Sequence, residues 1–133
     1  MASYRLSTAA RNAACNAVVD MLNAGTIECR TGAQPANVGD ADSGTLLGTL
    51  TFGATAFGDA AVGVATAGAI TSDVDADNSG DCEHVRIKTS APAIHSDADA
   101  GEAGDSPAVV FDNNTIVAGG TIAISSLTIT QPI

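Results

Sequence analysis

STAARNAACNAVVDMLNAG, residues Ser7 to Gly25, is the one stretch of this chain with a helical period. Ala10, Ala13, Ala14, Ala17, Val18, Met21 and Leu22 recur at i, i+3, i+4 and i+7 spacing. Ser7 or Thr8 offers a hydroxyl to an unpaired N–H of the first turn. Gly25 takes positive φ without steric cost and is the expected end. The spacing therefore predicts a helix over about 7–24. Its expected inward face is mostly alanine, and its expected polar face carries Arg11, Asn12, Asn16, Asp20 and Asn23. Everything after Gly25 reads as strand and loop. The expected architecture is mainly β, a β-sandwich-like domain with one N-terminal α-helix packed on the sheet, in a single domain over 1–133.

Downstream, TIECRT (26–31) alternates Ile27 and Cys29 with Glu28 and Arg30, the pattern of a half-buried strand. A Gly/Asp-dense loop, 36–44, leads to TLLGTLTF (45–52). There Leu46, Gly48 and Leu50 share one parity, Leu47 takes the other, and Gly48 marks a bulge or a close backbone approach. Phe57 is expected to plug the core from a loop. A short strand is expected around 62–66, with Ile70 and Thr71 continuing or pairing after Gly68. CEHVRIKT (82–89) sets Val85 and Ile87 against His84, Arg86 and Lys88 and reads as the central strand. SAPAIHSDADAGEAGDSP (90–107) reads as a long polar connection, of the kind that is functional, mobile or docked on a partner. AVVFD (108–112) is a strand. Gly119-Gly120 signals a two-residue hairpin between 115–118 and 121–130. In the last strand a bulge at Ser125-Ser126 would return Ile122, Ile124, Leu127 and Ile129 to one face, and Pro132 would end the ladder.

The charge balance narrows the functional classes. Fifteen acidic side chains face five basic ones, Arg5, Arg11, Arg30, Arg86 and Lys88, for a net charge of −10. A nucleic-acid surface needs cations that displace counterions from phosphates, so no nucleic-acid partner is expected. Attraction to an anionic membrane is disfavoured for the same reason, and no apolar run is long enough to span a bilayer. No hydrophobic signal region follows the N-terminus. Cys15, Cys29 and Cys82 are odd in number and far apart, with no CxxC, and are expected as free thiols in a reducing cytosol.

Candidate chemistry is sparse. Asp73, Asp75, Asp77, Ser79 and Asp81 set alternate oxygen ligands in a row, a weak calcium candidate. Counted from Asp73, an EF-hand loop needs glycine where Asn78 stands and glutamate where His84 stands, so a solvated turn is the expected role. Asp97, Asp99, Glu102 and Asp105 form a second acidic cluster with the same shortfall. Cys82, His84 and His95 are a thin zinc set, because Cys15 and Cys29 lie in other elements. No GxSxG, HExxH or phosphate loop is present, and Glu28 and Glu83 are at most cross-strand neighbours. No catalytic residue, cofactor or metal is therefore expected.

Four phrases carry a family resemblance: YRLSTAARNAACNAVVDMLNAG, RTGAQPA, AFGDAAVGVATAGAITSD and NNTIVAGGTIAISSLTITQP. In order and spacing they resemble a family of small structural proteins of tailed bacteriophages, over well more than half the chain. They are scaffold motifs without catalytic residues. The stretch 82–108 departs from the family, being longer and acidic where relatives have an aromatic-containing strand and a tight DG-type turn. The resemblance implies a non-enzymatic virion component assembled in the host cytoplasm. A capsid decoration, or cement, protein is the first expectation, with the major capsid protein or other copies of itself as partners. The alternatives are a tail tube, tip or fibre-base component, and a receptor- or glycan-binding module.

Overall fold

The computed structural model describes residues 3–105 and 107–131. Helix α1 (Thr8–Asp20) comes first. Ten strands follow: β1 (Thr26–Arg30), β2 (Leu46–Phe52), β3 (Val64–Thr66), β4 (Ile70–Thr71), β5 (Gly80–Asp81), β6 (His84–Lys88), β7 (Ile94–Glu102), β8 (Val109–Phe111), β9 (Thr115–Ile116) and β10 (Ile124–Thr130). The molecule is mainly β, with the single helix packed on the sheet, as the sequence predicts. Pro132 lies outside the described residues.

Eight strands form one sheet in the order β3-β10-β8-β7-β6-β1-β2-β4. All pairings are antiparallel except β7 with β8. The edge strands β3 and β4 are joined by Ala67–Ala69 alone. So short a link reaches roughly 14 Å at full extension. The sheet must therefore curl until its two edges lie close. The concave side holds the core: Ile27 and Cys29 of β1, Leu47 and Leu50 of β2, Val85 and Ile87 of β6, Val109, Phe111 and Leu127. Phe57 plugs this core from its loop as expected, its ring centroid 5.6 Å from that of Phe52.

The helix starts where the sequence places it, with the Ser7 hydroxyl accepting from the Ala10 N–H at 3.1 Å. It stops earlier than expected, and its inward face is only partly the expected one: Leu22 is buried and Ala10 and Ala14 are half-buried as expected, whereas Cys15 and Val19 replace Ala13, Ala17, Val18 and Met21. The positive φ at the exit belongs to Ala24. Gly25 serves close approach instead: a Cβ there would collide with the Lys88 carbonyl oxygen. Cys15, Val19 and Leu22 point inward, while Ala13, Ala17, Val18 and Met21 are exposed. The asparagines expected in solvent are docking groups. Asn12, Asn16 and Asn23 each accept from a backbone N–H, of Gly63 at 2.7 Å, Ala60 at 2.8 Å and Ala56 at 2.9 Å. The loop 56–63 has few strand partners of its own, and the helix supplies the missing acceptors.

Other departures have equally local causes. The register of β1 on β2 slips between Cys29 and Arg30, so Leu47 bulges inward and both Leu47 and Leu50 are buried. Gly48 is also a close approach, since a Cβ would sit 2.5 Å from Asp73 Oδ2 and from Ile122 Cδ1. The expected bulge at Ser125 is present as a register shift between Ile124 and Ser126. The hairpin expected at Gly119-Gly120 does not form. β9 pairs with β5, and the glycine turn exchanges hydrogen bonds with Ala76. The largest correction is 90–107: nine of its residues form β7, antiparallel to β6 and parallel to β8.

Candidate functional site

The convex face of β1, β6 and β7 carries the chain's only dense cluster of opposite charges among the described residues. Strand alternation puts Glu28 and Arg30 on this face from β1, and His84, Arg86 and Lys88 from β6. Register then sets Arg86 beside Glu28 on one side and Asp97 of β7 on the other. The loop 36–44 folds over the cluster and contributes Asp42.

Arg86 has no exposed surface. Its Nε and Nη2 donate to the two oxygens of Asp97 at 2.8 and 3.0 Å. Nη1 donates to the Asp40 carbonyl at 2.7 Å and to Asp42 Oδ1 at 3.0 Å, and Nη2 also donates to the Val38 carbonyl at 3.2 Å. All five guanidinium N–H groups thus have acceptors. Arg30 binds Glu28 at 3.0 Å and Asp42 at 2.9 Å, and Lys88 binds Glu28 at 3.0 Å. Three cations meet three carboxylates, so the cluster is neutral as well as closed. The hydrogen bond to Asp97 is the main cause that raises the Arg86 pKa above its ordinary value, against the opposing effect of burial. Burial pushes the Asp42 carboxyl up, but the Arg86 hydrogen bond and the charges of Arg30, Lys88 and Arg86 together hold it below the usual carboxylate range. These contacts clamp the loop to the sheet, and Arg86 has no N–H left for a substrate.

His84 is buried beside this cluster. Its Nδ1 donates to the Gly32 carbonyl at 2.7 Å, while Nε2 has no partner among the described residues. Cys82 is joined to Cys29 as a disulfide, with Cα atoms 5.7 Å apart. That corrects the expectation of three free thiols: only Cys15 is free, and it is buried. The two half-cystines meet because Glu83 N donates to the Arg30 carbonyl, which carries the entrance of β6 alongside β1. His95 lies elsewhere, its Nε2 donating to the Val18 carbonyl at 3.0 Å. The Cys82, His84 and His95 set is therefore not assembled. Glu28 and Glu83 are not neighbours either, since Glu28 sits opposite Arg86 and Thr49, and Glu83 is exposed.

The calcium candidates are spread along a docked loop. Asp73 Oδ2 accepts from Thr49 N and Oδ1 from Asp75 N, both at 2.9 Å. Ser79 Oγ accepts from Ala118 N at 2.9 Å, and Asp81 Oδ1 from the Thr115 hydroxyl at 3.1 Å. Asp77 and Asn78 send their N–H groups to the Leu47 carbonyl. Among the described residues no three His, Cys, Asp or Glu side chains converge to hold a metal ion. In the second acidic cluster Asp97 is taken by Arg86, Asp99 accepts from Ala108 N, and Asp105 accepts from Glu102 N.

One cavity of about 260 Å³ opens between α1, β7 and β10, lined by Val18, Ile87, Ser96, Ala98, Leu127 and Ile129 with His95 at its rim. It is mainly apolar. Among the described residues its one hydroxyl–imidazole pair is Ser96 Oγ with His95 Nδ1 at 2.9 Å, and the only other hydrogen bond of that ring is from Nε2 to the Val18 carbonyl, with no carboxylate to orient it.

No family model, curated protein or solved structure matches the chain. Function has to be argued from the geometry and from the sequence resemblance. The geometry that matters most was partly legible: the alternation of His84, Arg86 and Lys88 marked the strand, and Asp97 was visible in an acidic cluster. What joins them is the register of β7 on β6, a long-range pairing that the local sequence of 90–107 does not contain.

Proposed function

We propose that this chain is a non-enzymatic structural subunit of a tailed-bacteriophage virion, a decoration or cement protein that binds the outside of the capsid and bridges major capsid subunits. The sequence resemblance motivates the reading, and the distribution of charge is the observation that carries it. Arg30, Arg86 and Lys88 are consumed in the internal cluster, which leaves Arg5 and Arg11 as the other basic side chains of the whole chain. Arg11 is itself bound to the Gln131 and Val62 carbonyls. An outer surface this acidic repels packaged DNA and suits an exterior position. Many symmetry-related copies would multiply weak contacts into firm attachment.

A glycan-binding module is less well supported. Such sites use exposed aromatic faces, whereas Phe52, Phe57 and Phe111 are buried and Tyr4 is the only exposed aromatic side chain among the described residues. Quantitative mass spectrometry and cryo-electron microscopy of purified particles test the proposal. High copy number with density on the capsid faces is the expected result. Density confined to rings along a tail would replace the decoration role with the tail alternative, and absence from finished particles would overturn the virion role.

A further inference from the structure

β8 lies between β7 and β10 but is much shorter than either. It pairs with Ala100–Glu102 of β7 and with Ile124–Leu127 of β10. Before β8 begins, β7 runs on as Ile94–Asp99 and β10 runs on as Thr128–Thr130, and no described strand lies between them. Two strands that share a central partner are about two strand spacings apart, roughly 9–10 Å. The sheet therefore contains a slot one strand wide, and the 260 Å³ apolar cavity opens into it with Val18 of α1 below.

The segment Ser3–Ser7 (SYRLS) has the matching properties. It is without secondary structure, and Tyr4 is 83% exposed. In extended form Tyr4 and Leu6 fall on one side and Arg5 on the other. Its five residues span about 17 Å, against roughly 20 Å for the open stretch of β7. Its charge is complementary too. Residues 1–19 contain Arg5 and Arg11 and no acid, while the remainder of the chain carries all fifteen acidic side chains and three basic ones. Asp99 is exposed on the convex face of the slot.

We infer that the arm Ser3–Ser7 of one copy enters the slot between β7 and β10 of a second copy as an added strand, linking copies head to tail. Tyr4 and Leu6 turn inward towards Ala98 and Leu127, and Arg5 turns outward beside Asp99. A cavity of ~150 Å³ already accepts a benzene ring, so this one receives a leucine or phenol side chain. Backbone hydrogen bonds along the free strand edges give affinity, and the two apolar side chains give register. The interface is heterologous, so it propagates into rings or chains of copies.

Variants in the full chain test this. Leu6→Asp disables the arm and leaves the slot intact. Thr128→Arg blocks the slot mouth at an exposed position and leaves the arm intact. By light scattering and sedimentation, the unaltered chain is expected to exceed the monomer mass as its concentration rises, and each variant is expected to remain monomeric with an unchanged circular dichroism spectrum. Mixing the two variants joins an intact arm to an intact slot and is expected to yield a one-to-one dimer and nothing larger. A monomeric unaltered chain at high concentration, a Leu6→Asp chain that assembles normally, or a mixture that stays monomeric would each overturn the inference. Because the readout is the purified chain alone, that failure would leave the virion role standing, and absence from particles would leave the self-assembly standing.

Discussion

Burying a guanidinium costs several kcal/mol unless each N–H finds an acceptor and the charge is matched. Arg86 meets both conditions through Asp97, Asp42 and two carbonyls of the loop 36–44. Removing one partner leaves the other buried and unpaired. Arg86→Met is therefore expected to cost about 3–5 kcal/mol of unfolding free energy in urea, by stranding Asp97. Adding Asp97→Leu is expected to recover part of that loss, because the stranded charge is then gone. Acid should act through Asp42. Its carboxyl is depressed in the folded state, so its contribution is complete above the unfolded value near pH 3.9 and is lost as pH falls through the lower folded value. Melting temperatures taken from pH 5 down to pH 2 are expected to drop for the unaltered chain, and to drop less steeply for Asp42→Asn. An equal slope in the two would remove Asp42 from the account.

Helix α1 and strand β7 show which parts of an element its sequence reveals. The 3.6-residue period locates the helix, its Ser7 cap and Leu22 on the inward side, but hydrophobicity misses Cys15 and Val19 and turns Ala13, Ala17, Val18 and Met21 inward. Alanine carries too little apolar surface to decide orientation, whereas each asparagine that accepts a loop N–H satisfies a backbone group otherwise stranded at the surface of the core. In β7 the alternation was present in SDADA, yet aspartate is poor in strands and no partner was in view. Arg86 opposite Asp97 makes that strand, a long-range pairing that local propensity does not contain. By contrast β1, β6 and the bulge at Ser125 were legible, since alternation with apolar residues marks a buried face directly. Asn16→Ala should consequently destabilise the fold by about 1–3 kcal/mol, while Ala17→Ser on the exposed face should change it by under ~0.5 kcal/mol. Chemical denaturation of the two variants, one residue apart, checks which face is inward. Gly48→Ala is expected to be destabilising as well, through collision with Asp73 and Ile122.

Across the whole molecule the fold depends on contacts distant in sequence. Edge strands close in sequence sit at opposite ends of the sheet order, and the N-terminal helix is anchored to residues 56–63 and to Gln131. A chain organised this way gives up much conformational freedom before its pairings form. The Cys29–Cys82 bond ties the centre of the sheet across a separation of 53 residues, thereby shrinking the unfolded ensemble. For a loop of that length, chain entropy alone corresponds to about 4 kcal/mol. In denaturant without reductant, one thiol per chain is expected to react with a thiol reagent, namely Cys15. Three reacting thiols would show that the bond is absent. The double variant Cys29→Ala, Cys82→Ala is expected to fold with the same spectrum and a lower denaturation midpoint, and added reductant should lower the midpoint of the unaltered chain but leave the variant unmoved. That last contrast separates the cross-link from the packing of the sulfur atoms, because both proteins meet the same reductant and only one has a loop to open.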